Sequence, residues 1–380
     1  MATITGRLGN SISTRYNLSD ILGARLPIAL LLCVPLFAPQ LLSGTRLLSL
    51  AVTCAIYVIV ANGLHIIFSY NGQLSLAHTS LWGIGAYATA LLISHYGTPT
   101  ILLLPIAGLA AATAAVMIGI PAFRTGGFSF AIITFAFAEI LRLVANNWVT
   151  LTNGSLGITI FDSPSSIGPI SFDTFNHLDN FYYLVLGFAY LSVAAVWIIT
   201  QSRVGKTFVA IRENESLARS LGINTYLYKL IAFAMSGFFA GVAGVFFVYH
   251  QKHIEPGPLS PFGALYTIQF LLMILIGGRL SVLGPAIGAV IVVFGPEATN
   301  ELLALAGFEN VITFGRSQIL FGSLLALSVL SAPEGVVGQT RRGYHVFFTS
   351  IRRDRERGHG WLRSVLMAFG RAVIPVGANE

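Results

Sequence analysis

The stretch 99–123 holds no charged side chain, and apolar runs of similar length recur along the chain. A helix needs about 20 such residues to cross a hydrocarbon core roughly 30 Å thick. In lipid, every backbone N–H and C=O must find its partner inside the protein, so a spanning run is either a helix or a strand of a closed barrel. The runs here are continuously apolar rather than alternating, which argues against a barrel. Charged residues make up only 10% of the 380, against about 25% in an ordinary soluble domain. The sequence therefore predicts an all-α polytopic membrane protein.

The predicted spans, ten in all, are 25–42, 45–69, 76–95, 99–123, 128–149, 181–200, 227–250, 263–278, 281–296 and 316–332. Charge sets their direction. The loop 150–180 has no Lys or Arg but carries Asp162, Asp173 and Asp179, which places it outside. The loop 201–226 and the segment after 333 are basic and belong inside. Alternation then puts both termini in the cytoplasm, and the inside segments hold 18 of the 22 Lys and Arg. Arg46, Lys252 and Arg316 fall outside, and Arg142 sits within a span. The first apolar run reads as an uncleaved span rather than a secretory signal. It has no small-residue cleavage site, and Pro27, Pro35 and Pro39 interrupt its core. Cys33 and Cys54 lie in apolar spans and read as small packing residues. This divides the chain into an N-terminal cytoplasmic segment 1–24, a transmembrane domain 25–338 and a basic tail 339–380.

Two segments look alike. Without gaps, Gly72, Leu74 and Ser75 align with Gly278, Leu280 and Ser281. Each then enters a glycine-rich apolar stretch, with Gly83 and Gly85 in one, and Gly284, Pro285 and Gly288 in the other. Interrupted hydrophobic segments in corresponding halves point to a transport path, because a broken helix exposes backbone groups to a polar cavity. Candidates for lining that path are Gly72, Gln73, Ser75, His78, Gly278, Ser281 and Gly284. Ordinary tight helix packing accounts for the same glycines equally well. His78 reads either as a path residue or as a hydrogen-bonded packing histidine.

Ionisable residues inside spans carry a cost and need a partner. Glu139 and Arg142 lie three apart, share a helix face and read as a structural ion pair. No Cys/His cluster or acidic pair suggests a metal or a proton relay. Gly205-Lys206-Thr207 resembles the end of a phosphate-binding loop, but position 200 is Thr where that motif needs glycine. Catalytic constellations are missing, and no nucleic-acid partner is expected. Any nucleotide energy must come from another subunit.

The longest polar stretch between apolar runs is TQSRVGKTFVAIRENESLARSLGINTYLYK, residues 200–229. It interleaves charges with helix-forming apolar residues, as a structured loop that meets a cytoplasmic partner does. From here the resemblance becomes specific. NGQLSLAHTSLWGIGAYATALL is similar to the signature of branched-chain amino acid ABC transporter permeases of the LivM type. So are GFSFAIITFAFAEILRLVANNW, SRVGKTFVAIRENESLARSLGINTYLYKLIAFAMSGFFAGVAG and LLMILIGGRLSVLGPAIGAV. These blocks follow the family's order over residues 55–338.

The resemblance implies a bacterial inner-membrane subunit that binds no cofactor itself. Its implied partners are a second related permease, two cytoplasmic ATPases that use ATP, and a periplasmic binding protein. The loop 212–224 then couples to the ATPase, with Arg212, Glu213, Glu215, Ala218 and Gly222 as its marked residues. This chain departs from the importer pattern at one place: Glu215 is followed by Ser216-Leu217-Ala218, not by two alanines. Branched-chain or similar small hydrophobic amino acids are the expected cargo. Related permeases for urea or short amides, and an ion-coupled secondary transporter, are the alternatives.

After Ala332-Pro333-Glu334-Gly335 the chain continues beyond the usual end of such permeases. Trp361, Leu362, Val365, Leu366 and Phe369 fall on one helical stripe of this arginine-rich tail. A basic amphipathic helix on anionic membrane lipid is one account, and disorder is the other.

Overall fold

The computed structural model describes residues 34–41, 45–125, 127–164, 172, 177–257, 262–305 and 322–323. The segments 1–24 and 339–380, most of the predicted span 25–42 and nearly all of 316–332 lie outside these residues. By packing, the chain divides into Met1–Leu48 and Ser49–Glu380. The first holds a 3-10 turn at Val34–Phe37, a helical turn at Ala38–Leu41 and the start of the first long helix. Everything below concerns the second.

Helix α1 runs Thr45–His65 and continues directly into a π-helical turn, Ile66–Tyr70. It is followed by α2 (His78–Tyr96), α3 (Thr100–Ala122), α4 (Gly127–Asn147) and α5 (Leu178–Gln201). Two shorter polar helices come next, α6 (Arg203–Glu213) and α7 (Glu215–Ser220). Then come α8 (Thr225–Gln251), α9 (Ala264–Gly277) and α10 (Gly284–Leu305). The only β structure among the described residues is a two-residue ladder. Strand β1 (Ile158–Thr159) pairs antiparallel with β2 (His253–Ile254), Ile158 opposite Ile254. The molecule is thus all-α, and the eight predicted spans between 45 and 296 each overlap a described helix.

Among the described residues, five helices are long and apolar enough to cross a membrane: Thr45–Tyr70, Thr100–Ala122, Gly127–Asn147, Leu178–Gln201 and Thr225–Gln251. Their burial differs. The windows in Thr45–Tyr70 and Thr225–Gln251 are 78% and 72% buried inside the protein, while the other three lie near 30%. Leu102, Leu109, Met117, Phe128, Ile132, Leu191 and Trp197 are exposed on α3, α4 and α5. These three helices therefore carry the exposed apolar faces, and α1 and α8 form the interior.

Because lipid is as apolar as leucine, helix association inside a membrane relies on close van der Waals contact. That contact is extreme around α8. A Cβ on Gly241 would overlap the Ala107 carbonyl of α3, and one on Gly85 of α2 would overlap Gly241 itself. The three helices therefore meet backbone to backbone. Beside them Trp82 packs edge-on against Tyr57, Phe247, Tyr266 and Phe270, an arrangement that aligns ring edges with ring faces.

The links sort onto two ends. At one end Lys252 Nζ donates to the Asp162 carbonyl at 2.6 Å, Ile160 N donates to the Lys252 carbonyl, and Thr100 Oγ1 meets the Tyr249 hydroxyl at 3.1 Å. At the other, Arg212 reaches Ser69, Tyr226 reaches the Ile120 carbonyl, and His65 reaches Arg279. The acidic link 148–164 and the basic link 201–224 thus lie at opposite ends.

Candidate coupling element and polar links

The polar stretch 201–224 folds as two helices because three side chains cap three helix starts. Ser202 Oγ accepts from Gly205 N at 3.2 Å, Asn214 Oδ1 from Leu217 N at 2.9 Å, and Asn224 Oδ1 from Leu227 N at 3.1 Å. Each satisfies an amide that a helix start leaves unpaired. Gly205-Lys206-Thr207 thus sits inside α6, with the Gly205 amide already engaged by its cap. Gly222 takes φ +84° in the turn between α7 and α8, a conformation in which glycine carries no Cβ penalty.

The expected coupling residues face different ways. Arg212 and Glu215 are half-buried, Ala218 is buried, and Glu213 and Gly222 are exposed. Glu215 is bound from below. Its Oε2 accepts from Lys229 Nζ at 2.7 Å, and its Oε1 accepts from Thr225 Oγ1 and Arg219 Nη2, each at 3.1 Å. Burial pushes this carboxyl up, but the Lys229 and Thr225 hydrogen bonds and the Arg219 charge outweigh it, leaving it below the usual glutamate value. The outward face of α7 instead carries Ser216, Leu217 and Ser220, with Leu221 just beyond. Leu217 is 56% and Leu221 73% exposed. The sequence assigns no docking role to these leucines and counts Lys229 only among the charges of the stretch. The Asn214-Glu215 pair is the signal that would have found them, since an N-cap followed by an acid starts a new helix and sets which residues share its face.

The two similar segments adopt the same backbone plan. Gly72 has φ +75° and Gly278 φ +121°, the region where only glycine is unstrained. Each glycine ends a helical segment, and the next helix begins six residues on, at His78 and at Gly284. The second link also touches the helical segment that precedes the first, and α2 meets α9. His65 Nε2 bonds the Arg279 carbonyl at 2.9 Å, and the Arg279 guanidinium lies 4.8 Å from the Phe68 ring centroid. Thr79 Oγ1 meets Thr267 Oγ1 at 2.8 Å.

Of the path candidates, His78 is fully buried with both nitrogens used. Nε2 faces the Val60 carbonyl at 2.9 Å and so carries the proton, and Nδ1 accepts from Ser236 Oγ at 3.1 Å. Ser75 is buried, its Oγ accepting from Ala77 N. Gln73 and Ser281 are half-buried. Gly284 packs its backbone against Gly277 at the end of α9 and against Gly278 just after it. A row of buried polar atoms accompanies the first link without protein partners: Asn62 Oδ1, His65 Nδ1, Ser69 Oγ and both side-chain polar atoms of Asn71.

Glu139 and Arg142 do pair. Arg142 Nε donates to both carboxylate oxygens at 3.0 Å, and Nη1 donates to the Pro256 carbonyl at 3.3 Å. The pair ties α4 to the link after α8. Cys54 is a buried free thiol. Among the described residues no group of three His, Cys, Asp or Glu is placed to hold a metal.

This arrangement has known relatives. The family described as "Branched-chain amino acid transport system / permease component" matches residues 46–329. The LivM permease protein of the high-affinity branched-chain amino acid transport system of Escherichia coli K12 is 30% identical over 311 residues, covering 77% of this chain and 70% of that protein. The Salmonella typhimurium LivM protein matches equally. The E. coli LivH permease protein of the same system is 25% identical over 327 residues, or 80% of this chain and 96% of LivH. No solved structure matches. A family match spanning most of the chain, on a bundle of long apolar helices, means that the chain belongs to the branched-chain amino acid transport system permease family.

Proposed function

We propose that this chain is the membrane-spanning subunit of an ATP-driven importer for branched-chain or similar small hydrophobic amino acids, in a bacterial inner membrane. It binds no cofactor, and ATP is used by two separate cytoplasmic ATPase subunits. A second, related permease completes the pore, and a periplasmic binding protein delivers the cargo. Similarity to both LivM and LivH, two permeases named for one system, supports pairing of unlike subunits. Ten spans with both termini inside fit the sorting of the links. The basic end, with α6 and α7, is the cytoplasmic face.

The observation that carries the coupling role is the outward face of α7. Two large apolar side chains, Leu217 and Leu221, stand in water on a helix held in place by Glu215. A pair of exposed leucines on a rigid helix suits insertion into a groove of another subunit. The path follows the two glycine links, Gly72 to Ser75 and Gly278 to Gly284, where helices break inside the protein.

The test is co-purification with the ATPase subunits. Leu217→Asp with Leu221→Asp should abolish recovery of the ATPases while the permease stays in the membrane. Full recovery of the complex from that variant would rule out docking at α7. Uptake of leucine against urea by the intact transporter then decides the cargo class.

A further inference from the structure

Helix α6 lies between α7 and the two glycine links. Its Phe208 packs with Ile66, Tyr70, Val196 and Ala232, and Val282 of the second link packs against the same group. Arg212, in the last turn of α6, makes the more specific contact. Its Nη1 donates to the Ser69 carbonyl at 2.6 Å, and its Nε donates to Glu213 at 3.0 Å. That carbonyl is among the last in the Ile66–Tyr70 turn, where helix geometry leaves no amide further along to pair with it. The stem of the same arginine lies flat on Gly72, where an added Cβ would sit 2.7 Å from Arg212 Cγ. One side chain therefore caps the end of the π-turn and packs against one side of the glycine that follows it. The π-turn in turn touches the second link through Phe68 and Arg279.

We propose that Arg212 is the positioning residue through which the α6–α7 pair sets the Gly72 turn and, beyond it, the 278–283 link. This rests on the coupling role proposed above. It also turns Arg212 from the docking surface, where the family resemblance placed it, inward onto the Ser69 carbonyl. The physical case has two parts. A hydrogen bond from a charged donor is about twice as strong as a neutral one, and breaking this one would strand a carbonyl inside the protein. The helical segment also ends here in a π-turn followed by a positive-φ glycine, and π-turns are frequent at functional sites in other proteins. When α6 shifts, the Ser69–Gly72 backbone is the piece that follows.

The first test uses the full chain in lipid nanodiscs and reads hydrogen exchange at the Asn71 and Gln73 amides, which close onto Ile66 and Ile67. Arg212→Lys keeps a stem and a cationic donor, whereas Arg212→Met keeps the stem alone. Exchange at both amides should rise about tenfold or more in the Met variant, the size expected on losing a charged hydrogen bond, and stay near wild type in the Lys variant. Equal exchange in the two variants would overturn the proposal. In the assembled transporter the Met variant should retain its ATPase subunits but carry less solute per ATP hydrolysed. An unchanged ratio would likewise overturn it. If even the wild-type chain binds no ATPase, it is the coupling reading that fails, and the exchange comparison still decides whether Arg212 holds the turn.

Discussion

Lys229 Nζ lies 2.7 Å from Glu215 Oε2, and this bond joins the N-terminal part of α8 to the first residue of α7 across fourteen residues of sequence. The lysine side chain is 4% exposed and the carboxylate 38%. The pair thus sits at a boundary, with its cation inside and its anion open to water.

That asymmetry makes a mutational prediction. Glu215→Gln strands a buried ammonium, whereas Lys229→Met strands only a carboxylate that water can reach. Breaking a fully buried pair costs about 3–5 kcal/mol. Solvent screening at Glu215 reduces this to roughly 1–2 kcal/mol for Glu215→Gln, with Lys229→Met milder. Thermal unfolding of the detergent-solubilised chain gives the order, and a less stable Lys229→Met would contradict the latch geometry.

The same pair sets a pH dependence. The Glu215 carboxyl lies below its ordinary value of 4.5. An acid whose folded value is depressed stabilises fully above its unfolded value and loses that contribution as pH falls through the folded one. Helix α7 should therefore stay latched throughout the neutral range and loosen only below pH 4.5. Exchange of α7 amides, corrected for intrinsic rate, measures this. Loosening between pH 5 and 7 would point to another group.

Backbone contact at Gly241 predicts a sharp positional contrast. Gly241→Val drives a branched side chain into the Ala107 carbonyl, whereas Gly187 on α5 has nothing within 4 Å of an added Cβ. Overpacking costs about 1–3 kcal/mol where neighbours can yield, and more against backbone. Gly241→Val should accumulate poorly in membranes while Gly187→Val accumulates normally. Equal levels would mean that α3 and α8 do not meet as closely as described.

The Thr79–Thr267 bond at 2.8 Å joins α2 to α9 within the protein. Polar pairs in membrane helices contribute about 0.6 kcal/mol on average. Thr79→Val and Thr267→Val should be non-additive by an amount of that order in a double-mutant cycle. Strict additivity would mean that the hydroxyls do not pair.

For the tail, the sequence alone makes the prediction. A peptide of residues 339–380 should bind anionic vesicles with about 1 kcal/mol for each near-surface arginine, and salt should weaken it within a Debye length of roughly 10 Å at 0.1 M. Equal binding to neutral vesicles would leave disorder as the account. Transport should survive truncation at Gly338.

The helices themselves were legible in the sequence. In hydrocarbon only a continuous apolar run can satisfy its own backbone, so runs such as 99–123 and 227–250 had to become α3 and α8. The repeated Gly-x-Leu-Ser pattern drew notice to Gly72 and Gly278 as path or packing residues, and the structure adds that both take a positive φ, which glycine adopts at little cost. Direction was not legible. Arg212 and Glu215 read as charges on a solvated docking face, but the cap at Asn214 starts a new helix and rotates the residues after it. Glu215 then turns down onto Lys229, and Leu217 and Leu221 are left in water, while Arg212, before that cap in the last turn of α6, reaches in to Ser69. His78 read equally as path or packing, and only the distances to Val60 and Ser236 show both its nitrogens occupied. Spacing along one chain specifies which residues share a helix face; which neighbour that face meets depends on partners in other elements, from fourteen residues away for Glu215 and Lys229 to more than a hundred for Arg212 and Ser69.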